Sequence, residues 1–228
     1  MPITAMSIAE NILRVRESIS EAAQQAGRDP NSIKLVAVTK TVDVTRTQEA
    51  ICAGVTDIGE NYVQEAASKF ASIGPSVRWH MIGHLQTNKV RHATPIFDLI
   101  QSVDSIHLAK EIGKRSLALG KTTEVLVEVN ISGEESKYGV NPSSVLDLCG
   151  EVACVEGVSL SGLMGIAPFT DNEVEIRKSF VMLRSLWEKL PAVHRKWLSM
   201  GMTSDFRIAI EEGSNMVRIG TAIFGPRG

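Results

Sequence analysis

The chain has 228 residues, 43% hydrophobic and 22% charged, enough for a globular protein with one large core or two modest ones. Its 24 Lys and Arg against 26 Asp and Glu leave a formal charge of −2, which excludes the positive field that a dedicated nucleic-acid binder needs. The longest apolar runs, such as Lys34 to Val38 and Val125 to Val127, fall far short of the roughly 20 residues that span a bilayer, and Glu10 and Glu17 break up the region where a secretory leader would be apolar.

A cytoplasmic protein with no membrane association is therefore expected. Cys52, Cys149 and Cys154 are odd in number and lack CxxC spacing, so they read as reduced structural thiols rather than a disulfide framework or a zinc site.

Residues 7–26 place Ile8, Ile12, Val15, Ile19, Ala22 and Ala26 at alternating steps of three and four, the period of an amphipathic helix, which Gly27 and Pro30 end. Beyond it, short β-rich runs at 33–40, 56–60, 77–83, 97–103, 124–131, 158–166, 196–201 and 216–220 predict eight strands. Helices are predicted between them at 44–53, 61–72, 86–93, 105–119, 143–156, 172–190 and 204–212. The clearest carries Ile176, Phe180, Leu183, Trp187 and Leu190 on one stripe, and Ser105, Pro142-Ser143, Asp171-Asn172 and Ser204-Asp205 stand where caps belong.

Strands that alternate with helices run parallel, because each crossover returns the chain to the same end of the sheet. Apolar residues on successive strand positions fit a sheet covered on both faces. Eight such units at this length point to the α/β class and a closed (β/α)8 TIM barrel. The alternative is an open doubly wound sheet, but Lys40-Thr41-Val42-Asp43 stands where that fold carries its Gly-x-Gly-x-x-Gly turn. Only Ala222 to Gly228 follow the eighth strand, too few for an eighth outer helix, so the additional N-terminal helix is expected to pack over the gap. With no linker or low-complexity segment, residues 1–228 read as a single domain.

In such a barrel the site lies at the C-terminal ends of the strands. Strand one ends in Lys40. Alone it could mark where a strand emerges into solvent; near low-dielectric barrel walls, desolvation would favour a neutral amine able to attack an aldehyde. Strand two ends in Gly59-Glu60-Asn61-Tyr62, and strand three runs from Trp79-His80 into Gln86-Thr87-Asn88-Lys89, which brings polar side chains to the same rim. His80 by itself fits a hydrogen-bonded structural histidine, and His84, His92 and His107 lack metal-ligand spacing. Strand seven passes through Ser199-Met200-Gly201-Met202-Thr203-Ser204-Asp205 into a helix start, and strand eight adds Arg218-Ile219-Gly220-Thr221. The first could be an ordinary capped junction, yet the loops after strands seven and eight are the favoured phosphate position in this barrel class. A lysine facing a phosphate cup describes a site for pyridoxal 5′-phosphate (PLP).

At these residues the chain resembles the PLP homeostasis protein family along essentially its whole length. The matching motifs are Ala37-Val38-Thr39-Lys40, Gly59 to Glu65, Trp79 to Lys89, Ser161-Gly162-Leu163-Met164, Leu198 to Met202 and Val217 to Gly225. The resemblance implies a fold-type III PLP barrel like the N-terminal domain of alanine racemase, with Lys40 carrying the cofactor as the internal aldimine. It implies that Asn61 lines the cofactor, that Arg218 faces the pyridine nitrogen, and that Ser199, Thr203, Gly220 and Thr221 hold the phosphate. His80 and the Ser136-Lys137-Tyr138-Gly139 segment also sit in family-like positions. Thr203 stands where the family more often has serine, which keeps the hydroxyl, and the tail after Phe224-Gly225 is short.

Racemases and decarboxylases on this barrel carry a further β domain that helps complete the site, whereas here eight strands consume the chain. An arginine beside the pyridine nitrogen also weakens the ring as an electron sink. The expected function is a PLP-binding protein, monomeric, that manages intracellular PLP and has PLP-dependent apoenzymes as possible partners. The alternatives are a small PLP enzyme such as an amino-acid racemase completed by self-association, and a barrel scaffold that has lost its cofactor.

Overall fold

The computed structural model describes residues 6–134 and 138–226. Eight parallel strands close into one barrel in chain order: β1 (Lys34–Val38), β2 (Asp57–Glu60), β3 (Arg78–Met81), β4 (Leu99–Val103), β5 (Thr123–Val129), β6 (Val158–Gly165), β7 (Trp197–Ser199) and β8 (Met216–Ile219). The closure is set by β1 against β8, with Lys34 opposite Met216 and Ala37 opposite Ile219. The open-sheet alternative is thereby excluded. Six of the eight strands stop one or two residues before the apolar runs do, because the last residues of those runs turn out of the ladder to build the mouth of the barrel.

Around the barrel lie α1 (Ile8–Gln25), α2 (Val44–Cys52), α3 (Val63–Ile73), α4 (Val90–Ala93), α5 (Ile106–Ala118), α6 (Val145–Ala153), α7 (Glu173–Glu188), α8 (Phe206–Glu211) and α9 (Thr221–Phe224). The helix expected at 86–93 is half a 3-10 turn, Thr87–Lys89, leading into the four residues of α4. The C-terminal segment forms only α9, and α1 takes the missing outer position, packed against α2, α8 and α9 with Asn11 Nδ2 donating to the Ile223 carbonyl at 2.9 Å. Its buried stripe is Ile8, Ile12, Val15, Ile19, Ala22 and Ala23, and a Ser7–Glu10 capping box starts it.

Two expected caps differ. Asn141 rather than Pro142-Ser143 accepts from the following turn. Asp205 precedes α8 without capping it; its Oδ1 accepts from the Met202 amide at 2.6 Å and tightens the β7–α8 loop instead. That loop needs Gly201, where φ is +98° and a Cβ would stand 2.6 Å from Ala209 Cβ. Of the three thiols only Cys149 is buried, in α6, where burial pushes it up to about 12; Cys52 and Cys154 are exposed and so are not packing residues. No helix of the described residues is long and apolar enough to cross a membrane.

Candidate functional site

Side chains alternate across a strand, so every second residue points into the barrel. Val36, Leu99, Leu126, Met164 and Met216 form a small interior cluster of their own. Counting two residues on from these gives Val38, Gln101, Glu128, Ile166 and Arg218, and two more on β1 and β8 gives Lys40 and Gly220. The same parity carries β2 from Asp57 through Gly59 to Asn61, and a Cβ on Gly59 would stand 2.9 Å from Ile82 and 3.1 Å from Val36, as expected at an interior position. Lys40, Asn61, Thr203, Arg218, Gly220 and Thr221 all line one cleft of about 600 Å³ at the C-terminal mouth, a size typical of small-ligand sites.

At one end of the cleft the backbone is rich in donors. The amides of Thr203, Ser204, Gly220 and Thr221 give their hydrogens to no other backbone group of the described residues, and all four residues line the cleft. Three of these residues, Thr203, Ser204 and Thr221, also carry hydroxyls. Unengaged N–H groups and hydroxyls on adjacent loops suit a multiply charged oxyanion. The sequence points to a helix start as the phosphate position; the unengaged donors lie on the loops, and α8, which follows them, has only six residues.

Arg218 is 4% exposed and pinned on two sides: Nη1 donates to Ser199 Oγ at 2.6 Å and Nη2 to the Gly165 carbonyl at 2.9 Å. Burial pulls its guanidinium down to about 10, against the pull of Asp205 and Glu128, which leaves it a cation at neutral pH. Glu128, itself 6% exposed, is pushed up to about 7 by burial despite Arg218.

Two residues expected at the cofactor do not reach the cleft. Ser199 and His80 are fully buried one interior layer deeper, two residues before Gly201 and Ile82. Ser199 Oγ donates to Gln101 Oε1 at 2.6 Å; His80 contacts Gln101 through Nδ1 at 2.9 Å and Asp57 through Nε2 at 3.0 Å. Their commitments lie inside the barrel. Within the other family-like segment, residues 135–137, including Ser136 and Lys137, lie outside the described residues; the ring of Tyr138 stacks on His84 with centroids 3.9 Å apart.

Lys40 is half-buried between two neighbours that are held from outside the barrel. The Thr39 carbonyl accepts from Lys69 Nζ at 2.6 Å, and the Thr39 hydroxyl donates to Glu60 Oε1 at 2.6 Å. Thr41, whose φ of +61° is unusual for a threonine, donates its amide to Glu65 Oε1 at 2.6 Å. Lys69 completes the cluster with ion pairs of 2.7 Å to both Glu60 and Glu65. Glu60, expected among the rim polar groups, instead lies on the outer face of β2 under α3, where burial raises its carboxyl above the usual range against Lys69.

Sequence reasoning passed over Lys69 and its ion pairs, Gln101, Glu128 and Arg46. Arg46 of α2 lines the cleft and donates to the Phe224 carbonyl. Parity counted from Lys40 and Arg218 could have found Glu128 and Gln101; nothing local marks Arg46 or Lys69, which meet the site only through packing.

Residues 7–228 match the family described as alanine racemase, N-terminal domain. The pyridoxal phosphate homeostasis protein of Pasteurella multocida is 40% identical over 229 residues, 97% of this chain and 98% of the relative. PipY of Synechococcus elongatus, whose structure was determined with PLP bound, superposes with a TM-score of 0.83 at 32% identity, covering 96% of this chain and 100% of PipY. The alanine racemase of Clostridium difficile, at 15% identity and a TM-score of 0.74, shares the fold alone, with 94% of this chain spanning 56% of the racemase. Matched along nearly its full length on the closed barrel just described, this chain belongs to the pyridoxal phosphate homeostasis protein family, built on the alanine racemase N-terminal domain.

Proposed function

We propose that this chain binds PLP at the barrel mouth through Lys40 and serves PLP homeostasis in the cytoplasm by holding and releasing the cofactor rather than by turning over a substrate. The observation that carries this reading is the opposition, within one cleft, of an interior-facing lysine and a set of unengaged loop amides. PLP, when bound, supplies an aldehyde that condenses with amines. Lys40 Nζ is the amine placed to take it, with Thr39 and Thr41 anchored on either side so that the side chain enters the cleft from a fixed base.

The amides of Thr203, Ser204, Gly220 and Thr221, with the Thr203 and Thr221 hydroxyls, would hold the phosphate, and Asn61 would line the ring. Gly220 keeps that wall low, since a Cβ there would stand 3.3 Å from Val38. Arg218 would face the pyridine nitrogen. A buried cation at that place disfavours protonation of the ring and so disfavours carbanion chemistry. The rim is open, with Phe169 fully exposed and Tyr62 and Met202 exposed. Such access suits exchange with small molecules and with PLP-dependent apoenzymes. All the residues invoked come from one chain, and the reading takes it to act as a monomer.

The test is the absorption spectrum of the PLP-loaded protein before and after borohydride, with peptide mapping of the reduced adduct. An adduct on Lys40 is expected; one on Lys89 or Lys137 instead would overturn the assignment. Incubation with amino acids in deuterium oxide separates carrier from enzyme. Exchange of α-protons near the rate given by free PLP is expected, whereas Lys40-dependent exchange at about 1 to 10³ per second, the range of ordinary enzymes, would establish the racemase-like alternative.

A further inference from the structure

We propose that Asp57, His80, Gln101 and Ser199 form a one-way hydrogen-bond relay through the barrel interior, and that this relay is what positions the Arg218 guanidinium at the cleft. The relay is a property of this chain alone; only the statement that Arg218 faces a cofactor rests on the reading above.

Its direction is fixed at three points. Gln101 Nε2 lies 3.3 Å from Met216 Sδ, and a thioether can accept but never donate, so the amide nitrogen belongs on that side. The same nitrogen lies 2.9 Å from His80 Nδ1, which must then present a lone pair. The imidazole proton consequently sits on Nε2, 3.0 Å from Asp57 Oδ1. Asp57 can only accept there: its other oxygen takes the Thr56 hydroxyl at 2.7 Å and faces Lys34 Nζ at 3.2 Å, and its carboxyl is lowered to about 2 despite burial, the main opposing influence. Burial holds the His80 imidazolium below its usual range, which fits a neutral ring.

With Gln101 nitrogen committed, its carbonyl oxygen faces Ser199, whose hydroxyl must donate to it at 2.6 Å. Ser199 Oγ therefore turns lone pairs, not its proton, toward Arg218 Nη1, also at 2.6 Å. All four links point the same way, from guanidinium to carboxylate, across β8, β7, β4, β3 and β2. Aligned bonds polarise one another in a low-dielectric interior. Inverting Gln101 would set a carbonyl against the Met216 sulfur and the His80 lone pair, so the far carboxylate decides what Arg218 meets. Together with the Gly165 carbonyl on Nη2, Ser199 fixes the plane of the guanidinium. Asp57, His80, Gln101 and Ser199 are thus positioning residues for Arg218.

Nitrogen-15 NMR of the cofactor-free protein at neutral pH tests the relay without any substitution: His80 is expected neutral with its proton on Nε2, and a proton on Nδ1 would overturn the proposal. In Gln101→Leu, side-chain N–H exchange of Arg218 should quicken about tenfold, the scale of one lost hydrogen bond, and the absorption band of bound PLP should shift. Ser199→Ala should act in the same direction and Ser199→Thr, which keeps the hydroxyl, should restore both. Ser102→Ala, the neighbour of Gln101 on the outer face of β4, should change neither. Arg218 exchange unaltered in a folded Gln101→Leu protein would also overturn the relay. Wild-type protein with the expected His80 tautomer and protected Arg218 that failed to take up PLP would instead overturn the reading of the cleft.

Discussion

The two ends of the barrel are both lined with polar groups, yet they are finished differently. At the floor, where the strands begin, the charges are closed among themselves. Glu124 accepts from Lys196 at 2.9 Å and from the Trp197 indole at 3.0 Å and pairs with Arg78, while Asp57 faces Lys34 at 3.2 Å. At the mouth, the backbone amides of Thr203, Ser204, Gly220 and Thr221 have no internal acceptor among the described residues. A polar group that has spent its hydrogen bonds internally contributes to stability, and one that has not is available to a ligand. Floor substitutions should therefore move stability, and mouth substitutions should move binding.

The largest effect expected is at the mouth. Lys40→Ala should remove the borohydride-reducible PLP adduct altogether, read by mass spectrometry, with the fold retained by circular dichroism. Next comes the phosphate: charge-assisted hydrogen bonds of about 1.5 to 3 kcal/mol each should make pyridoxal bind at least tens of times more weakly than PLP. Equal dissociation constants, measured by fluorescence quenching, would move the ligand away from the loop amides.

Glu128 sharpens the contrast because it lies between the two ends. Its carboxyl is pushed from an ordinary 4.5 up to about 7 in the folded protein, so the folded state holds its proton more tightly than the unfolded chain does. The associated stability is present in full below about 4.5 and is lost as pH rises through 7, by at most about 3 kcal/mol. Glu128→Gln should flatten that part of the pH profile of urea unfolding; a profile identical to that of the wild type would refute the burial of an ionisable group there. The smallest effect belongs to the floor, where Glu124→Gln should lower stability by roughly 1 kcal/mol through weakened pairing with Arg78 and Lys196 while leaving the PLP dissociation constant unchanged.

Much of this architecture is legible in the sequence. The eight apolar runs and the helical stripes between them specify strand and helix because periods of two and 3.6 are written locally, residue by residue. Strand parity then carries Lys40, Asn61, Arg218 and Gly220 to one mouth once the barrel is accepted. Closure itself, by Lys34–Ala37 of β1 pairing with Met216–Ile219 of β8, joins segments about 180 residues apart and is settled by tertiary contact.

Depth was not legible in the same way. Ser199 and His80 share the parity of the cleft residues but sit one layer lower, because the alternation says which side of a strand faces inward and nothing about where the packed interior ends and the cleft begins. The same limit applies to partners. Lys69 and Glu65 come from α3, and only the docking of that helix on the barrel brings them to the backbone on either side of Lys40. The sequence by itself determined the order and kind of the elements and the residues that turn inward; the tertiary structure alone decided which of those polar groups are consumed by one another and which are left for a ligand, since a hydrogen bond between distant strands depends on three-dimensional proximity that no local pattern encodes.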